Sequence, residues 1–196
     1  RMPMNILVTA IGSFSADCVI NTLKSHGHKV IGCDIYPSNW HAVSKDCDNV
    51  YQSPLAVNEE EYISFLINIS LKEKLDCIIP LTDIEIDVIN RNRKEFNNKN
   101  VTLLIQSENC LKIARDKFAM YQMFKNDDNV NVPYSVSSTD LTTDFPIPAI
   151  AKPIDGRSSE GLQRVNNIEE LSSYMNTHNY IIQQNISGSI FTVDYV

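Results

Sequence analysis

The sequence predicts an α/β fold: a doubly wound, Rossmann-like parallel sheet over residues 1–110, followed by an incomplete α+β unit over residues 111–196. Three observations carry this. Strand-like and helix-like segments alternate from Asn5 to Ile105. A polar break, Asn126-Asp127-Asp128-Asn129, and an extended step at Pro133 then interrupt the pattern. After the break the segments are mostly short strands, the mark of an antiparallel arrangement.

Asn5–Ala10 is a continuous β-rich run, read as a buried parallel strand. From Ser13 to Ser25, Ala16, Val19, Ile20 and Leu23 recur at helical spacing, and Gly27 stops the helix. Lys29–Asp34 is the second strand. Glu59–Lys72 is a helix with Tyr62, Phe65, Leu66 and Ile69 on one face and glutamates in its first turn, where they oppose the helix dipole. Asp76–Leu81, Asp83–Phe96 and Val101–Ile105 complete the alternation as strand, helix and strand. Ser107–Ala114 and Asp116–Phe124 read as two short helices. The later strands are Tyr134–Val136, Ala149–Lys152, Leu162–Val165, Tyr180–Gln184 and Ile190–Val196, with a helix near Ile168–Met175.

Composition narrows the function classes. A net charge of −7 with no basic stripe excludes a nucleic-acid backbone as the main partner, but leaves room for a phosphorylated ligand that needs only local positive charge. No apolar run is long enough for a membrane span. The five cysteines, Cys18, Cys33, Cys47, Cys77 and Cys110, form no Cys-x-x-Cys pair and read as buried free thiols, which places the protein in the reducing cytoplasm. His26, His28, His41 and His178 lack partners at metal-ligand spacing and read as exposed loop residues.

The stretch from Ala149 to Val165 carries the chemistry. An apolar strand delivers Lys152 beside Pro153, and a small-residue loop from Asp155 to Gly161 follows. Oriented backbone donors beside a fixed ammonium can hold a polyphosphate. No Gly-Lys-Ser/Thr opens a helix here, so the Walker pattern is absent. A hairpin with a long Gly/Ser tip is the other reading of the same residues. Near the N-terminus, Gly12 stands where a dinucleotide loop would be and Asp34 ends the second strand, but one glycine replaces the usual three. A tight turn with Ser13 or Ser15 capping the helix explains it better. Ser13, Phe14 and Asp34, together with Asp83 and Glu85 after the third strand, are the substrate-side candidates at the strand ends. Helix capping by Thr82 or Asp83 also accounts for that last pair.

Asp116-Lys117, Val132-Pro133, Lys152-Pro153 with its loop, and Ile181-Ile182-Gln183-Gln184-Asn185-Ile186-Ser187-Gly188 follow one another in an order that resembles the ATP-grasp superfamily. Within it, the chain is most similar to the carbamoyl-phosphate-synthase-like ligases, over nearly its whole length. The resemblance implies a pre-ATP-grasp domain over 1–110 and the N-terminal part of an ATP-grasp domain over 111–196. It implies that Lys117 and Lys152 reach the phosphates of ATP. Asp155, Gly156, Arg157, Ser158, Ser159 and Gly161 would form the loop closing over them, and Gln184, Asn185 and Ile186 the hinge at the adenine edge. Two departures accompany it. Ile190 stands where many relatives carry a glutamate for the ribose, and the family's Mg²⁺ ligands fall beyond Val196, so no metal ligand is expected within this chain.

The expected parent is an ATP-dependent ligase joining a small-molecule carboxylate to an amine or thiol through an acylphosphate. The chain itself is expected to be a truncated and inactive piece, with open strand edges that allow self-association. Two other classes stay open at this point: a non-catalytic nucleotide-binding module, and an NAD(P)-linked oxidoreductase or epimerase built on the first domain.

Overall fold

The computed structural model describes residues 2–97, 99–156 and 159–193. The chain divides into two compact units, one ending at Gln106 and the other beginning at Ser107.

The first unit is a parallel five-stranded sheet in the order β3-β2-β1-β4-β5. Its strands are β1 (Asn5–Val8), β2 (Lys29–Asp34), β3 (Asn49–Gln52), β4 (Cys77–Ile79) and β5 (Thr102–Leu103), with helices α1 (Ala16–Ser25), α2 (Glu59–Glu73), α3 (Asp83–Arg91) and α4 (Arg93–Asn97). Register runs Leu7 to Ile31 on one side of β1 and Leu7 to Ile78 on the other. Successive side chains point to opposite faces, and the sheet uses both. Leu7, Ile31 and Ile78 pack against Tyr62, Leu66, Ile69, Ile89 and Phe96, while Val8 and Val30 pack against Ala16 and Ile20. Burial on both faces is why β1 reads as an unbroken apolar run.

Two expectations need adjustment. The strand β3 was not anticipated, because it is a partly exposed edge strand with polar ends and lacks apolar alternation. The helix expected over Asp83–Phe96 is two helices, broken at Asn92, whose side-chain amide donates to the Val88 carbonyl at 2.9 Å.

The second unit holds α5 (Glu108–Ala114), α6 (Lys117–Phe124), β6 (Ser135–Ser137), β7 (Ala149–Pro153), β8 (Gln163–Val165), α7 (Ile168–Ser172) and β9 (Tyr180–Gln184). Its strands form an antiparallel sheet in the order β6-β9-β7-β8. One face is the core, where Ala149, Ala151, Val165 and Ile182 meet Phe145 and Leu171. The strand expected from Ile190 does not form through Val193, where the chain is irregular and exposed; Asp194, Tyr195 and Val196 lie outside the described residues.

Candidate functional site

Strand alternation decides where Lys152 goes. Ala149 and Ala151 face the core of the second unit, so Ile150 and Lys152 lie on the opposite face. There Lys152 pairs in register with the buried Ile181. Its side chain is half-buried, with no hydrogen bond or ion pair among the described residues. Burial, and then the charge of nearby Lys117, hold its pKa below the ordinary lysine value.

Lys117 comes from the start of α6. Asp116 is the N-cap, and its carboxylate accepts from the N–H groups of Phe118 and Ala119, each at 2.8 Å. The Lys117 N–H donates to the Ile154 carbonyl at 3.0 Å. Its ammonium donates to the carbonyls of Ile154 at 3.2 Å and Gly156 at 2.5 Å. The first helix donors are therefore satisfied within the protein, and the lysine side chain is the cationic part of this terminus.

Both lysines line one cavity of about 140 Å³, with Pro153, Gly156, Ser159, Glu160 and Leu162. The loop folds onto the Pro153 ring, and this explains its glycines. A Cβ on Gly161 would stand 2.8 Å from Pro153 Cγ, and that residue has φ +72°, so both space and backbone require glycine. A Cβ on Gly156 would meet Pro153 Cβ at 3.1 Å. Of the other loop candidates, Asp155 is exposed and off the cavity lining, while Arg157 and Ser158 lie outside the described residues. Glu160 and Leu162 on the lining were not anticipated, because a residue's place on a loop leaves no periodic signal.

Gln184, Asn185 and Ile186 stand at the end of β9 and do not line this cavity. The Gln184 N–H donates to the Tyr134 carbonyl at 2.8 Å; Ile186 is largely exposed. Ile190 is almost fully exposed.

In the first unit the substrate-side candidates separate. Ser13 and Phe14 lie on the β1–α1 turn, and Phe14 is fully exposed. Ser15 is the N-cap of α1 but makes no side-chain capping bond. Asp34 is buried, and its carboxylate accepts from the N–H groups of Gly12 at 2.9 Å and Tyr36 at 3.0 Å. The aspartate that would hold a ribose is thus committed to the turn. His41, expected to be exposed, is instead packed inside this turn with its side chain 11% exposed and Nε2 3.2 Å from Asp34 Oδ1.

Glu85 is also buried. It accepts from Thr9 Oγ1 at 2.8 Å, Tyr62 Oη at 2.8 Å and Thr82 Oγ1 at 2.7 Å. Thr82 in turn caps α3, its hydroxyl accepting the Glu85 N–H. Asp83 is the first residue of α3 and is half-buried. The cysteines are free; Cys33 and Cys77 are buried and Cys47 half-buried, but Cys18 and Cys110 are exposed, contrary to the reading of all as buried. No group of three or more His, Cys, Asp or Glu among the described residues could hold a metal ion.

Residues 6–104 match the model of the PylC-like N-terminal domain, and residues 114–196 match that of an ATP-grasp domain. No curated protein matches the chain significantly. Among solved structures, the L-amino acid ligase from Bacillus licheniformis superposes with a TM-score of 0.69 at 16% identity, over 96% of this chain and 45% of that one. The biotin carboxylase domain dimer of Hydrogenobacter thermophilus 2-oxoglutarate carboxylase, in complex with MgADP, ADP and bicarbonate, gives 0.72 at 16% identity, over 95% and 45%. N5-carboxyaminoimidazole synthetase from Staphylococcus aureus complexed with ADP gives 0.68 at 15%, over 95% and 48%. The chain thus spans about half the length of these structures. With half its length matched to the PylC-like N-terminal domain and most of the rest to an ATP-grasp domain, the chain belongs to the ATP-grasp superfamily.

Proposed function

We propose that the second unit binds the polyphosphate of ATP between Lys117 and Lys152, as part of an ATP-dependent ligase that joins a small-molecule carboxylate to an amine or thiol. The observation that carries this is the convergence of two ammonium groups on one cavity under a glycine loop. Like charges held together, one of them half-buried and without an acceptor among the described residues, are stabilised when an anion joins them. The relatives whose structures hold ADP or MgADP support the choice of nucleotide.

In this reading the lysines neutralise charge on the phosphates while the loop amides orient them, since phosphoryl transfer depends mainly on positioning and electrostatics. Transfer of the γ-phosphoryl group to the carboxylate gives an acylphosphate. Attack by the amine or thiol on its carbonyl carbon then releases inorganic phosphate. In the first unit, the exposed Phe14 and the half-buried Ser13 and Asp83 are the remaining substrate-side candidates; Asp34 and Glu85 act by holding their turns. The commitment of Asp34 to Gly12 leaves an NAD(P) reading without its ribose acceptor. In this reading the protein works in the cytoplasm and self-associates as a homo-oligomer. No helix among the described residues is long and apolar enough to cross a membrane.

Calorimetric titration with ATP tests the site. Binding by the wild-type chain, weakened about tenfold or more in Lys152→Met, is expected from losing a charge-assisted bond. Equal affinity in both would remove the site. For the longer protein, ¹⁸O passing from labelled carboxylate into phosphate is the expected signature of the acylphosphate.

A further inference from the structure

We propose that Lys152 is a site of covalent modification by small acyl phosphates, whose phosphate docks beside Lys117 while the acyl group passes to the Lys152 amine. This rests on the cavity being a phosphate site.

A lysine is ordinarily a weak nucleophile because its nitrogen is protonated and has no lone pair to offer. Two features of the structure remove that obstacle at Lys152. Its side chain is half-buried, with no acceptor among the described residues to favour the ammonium. A second cation, Lys117, lines the same cavity, and burial followed by that charge lowers the Lys152 pKa. Desolvation and a neighbouring cation are the two means by which proteins give a lysine a usable amine. Lys29 shows the opposite arrangement: it meets the Glu73 carboxylate at 2.8 Å, and that bond raises its pKa.

The cavity suits the reagent as well. Ala151 faces the core and Lys152 pairs with Ile181, so β7 sends the lysine stem out on the cavity side. At about 140 Å³ the cavity admits a small molecule, and its lining joins the two lysines to the apolar Pro153 and Leu162. An acyl phosphate has matching parts, an anionic phosphate for Lys117 and a short alkyl group for Pro153 and Leu162. Its carbonyl carbon lies between those parts, within the space that Lys152 shares. Holding two reactants in one small site raises the effective concentration of each for the other by orders of magnitude.

The transfer is simple. The neutral ε-amine attacks the carbonyl carbon, a C–N bond forms, and the C–O bond to the phosphate oxygen breaks. Inorganic phosphate leaves with that electron pair, the proton shed by nitrogen passes to phosphate or water, and nothing is oxidised or reduced. The amide product carries no charge, so one of the two lysine cations is lost. In the ligase reading the intermediate is itself an acylphosphate. Turnover that stalls before the acceptor arrives would therefore acylate Lys152 and close the site to ATP.

Treating the wild-type chain with acetyl phosphate and reading each lysine by peptide mass spectrometry tests this without any variant. Acetylation of Lys152 should begin about tenfold faster or more than that of the exposed Lys45, a small part of what co-binding can supply. Inorganic triphosphate should protect Lys152 and leave Lys45 unchanged. Lys152 modified no faster than Lys45 would overturn the proposal. Fast modification that triphosphate does not slow would overturn it too, since the reagent would then reach the amine without a phosphate site. Calorimetry with ATP separates the two readings. ATP bound by a chain whose Lys152 is unreactive leaves the phosphate site standing and ends the acylation alone.

Discussion

Tyr62 donates its phenol to Glu85 across 2.8 Å in the interior of the first unit, joining α2 to the start of α3. The same carboxyl group collects Thr9 and Thr82, so three segments meet on one buried side chain. Removing it leaves three hydroxyls without their acceptor. Glu85→Ala should destabilise the unit by about 3 kcal/mol or more, at about 1–3 kcal/mol for each stranded polar group that water does not reach. Urea denaturation measures this, and Glu85→Gln, which keeps one acceptor oxygen, should lose less. A Glu85→Ala midpoint equal to wild type would show the network to be unimportant.

Gly12 and His41 form a second close relationship. A Cβ at position 12 would lie 2.6 Å from His41 Cε1, and the ring is too enclosed to swing aside. Gly12→Ala should cost about 1–3 kcal/mol, typical of overpacking. Combining it with His41→Ala should recover part of that loss, a coupling that a double-mutant cycle reads directly. Strict additivity would place the clash elsewhere.

Lys152 makes stability depend on alkaline pH. Its folded pKa lies below the ordinary 10.5, so between that lowered value and 10.5 the unfolded chain binds more protons than the folded one. Stability from this group therefore rises with pH across that window. Lys152→Met should be at least as stable as wild type at neutral pH, with the difference narrowing as pH approaches 10.5. Parallel thermal melts of the two chains follow it. A difference that widens would reverse the assignment.

Glu73 governs the acid side. Lys29, then Tyr51 and Asn49, bond its carboxylate and hold its pKa below the ordinary 4.5. That contribution is complete above 4.5 and is lost as pH falls through the folded value. Glu73→Gln should be less stable than wild type at neutral pH, and should lose less on acidification. Tryptophan fluorescence during acid titration reads the transition if Trp40 responds to unfolding, with far-UV dichroism as the second probe.

How much of this was readable depends on what kind of contact each residue makes. Lys152 could be picked out because an ammonium ending the apolar strand run Ala149–Ala151 breaks a pattern, and strand alternation alone places it on the face away from the core. The parallel sheet was readable for the same reason, as Leu7, Val8, Val30 and Ile31 are buried on opposite faces and leave continuous apolar runs. The edge strand Asn49–Gln52 was not, since one neighbour and partial exposure impose little on its composition. Nor was the packing of His41 against Gly12, which arises from a meeting of two turns remote in sequence. The hold of Lys117 on Gly156 is of that kind too: its acceptor is a main-chain carbonyl, which any residue could supply.

Asp116 has a consequence beyond the two N–H groups it caps. By fixing where α6 begins, it also fixes the angle at which the next residue leaves the helix. Each residue advances a helix by about 100°, so inserting one position between cap and lysine would preserve the helix and carry the ammonium out of the cavity. The Asp-Lys pair thus works as an index mark, setting the rotational phase of α6, and a shift by one whole turn would be tolerated better than a shift by a single residue.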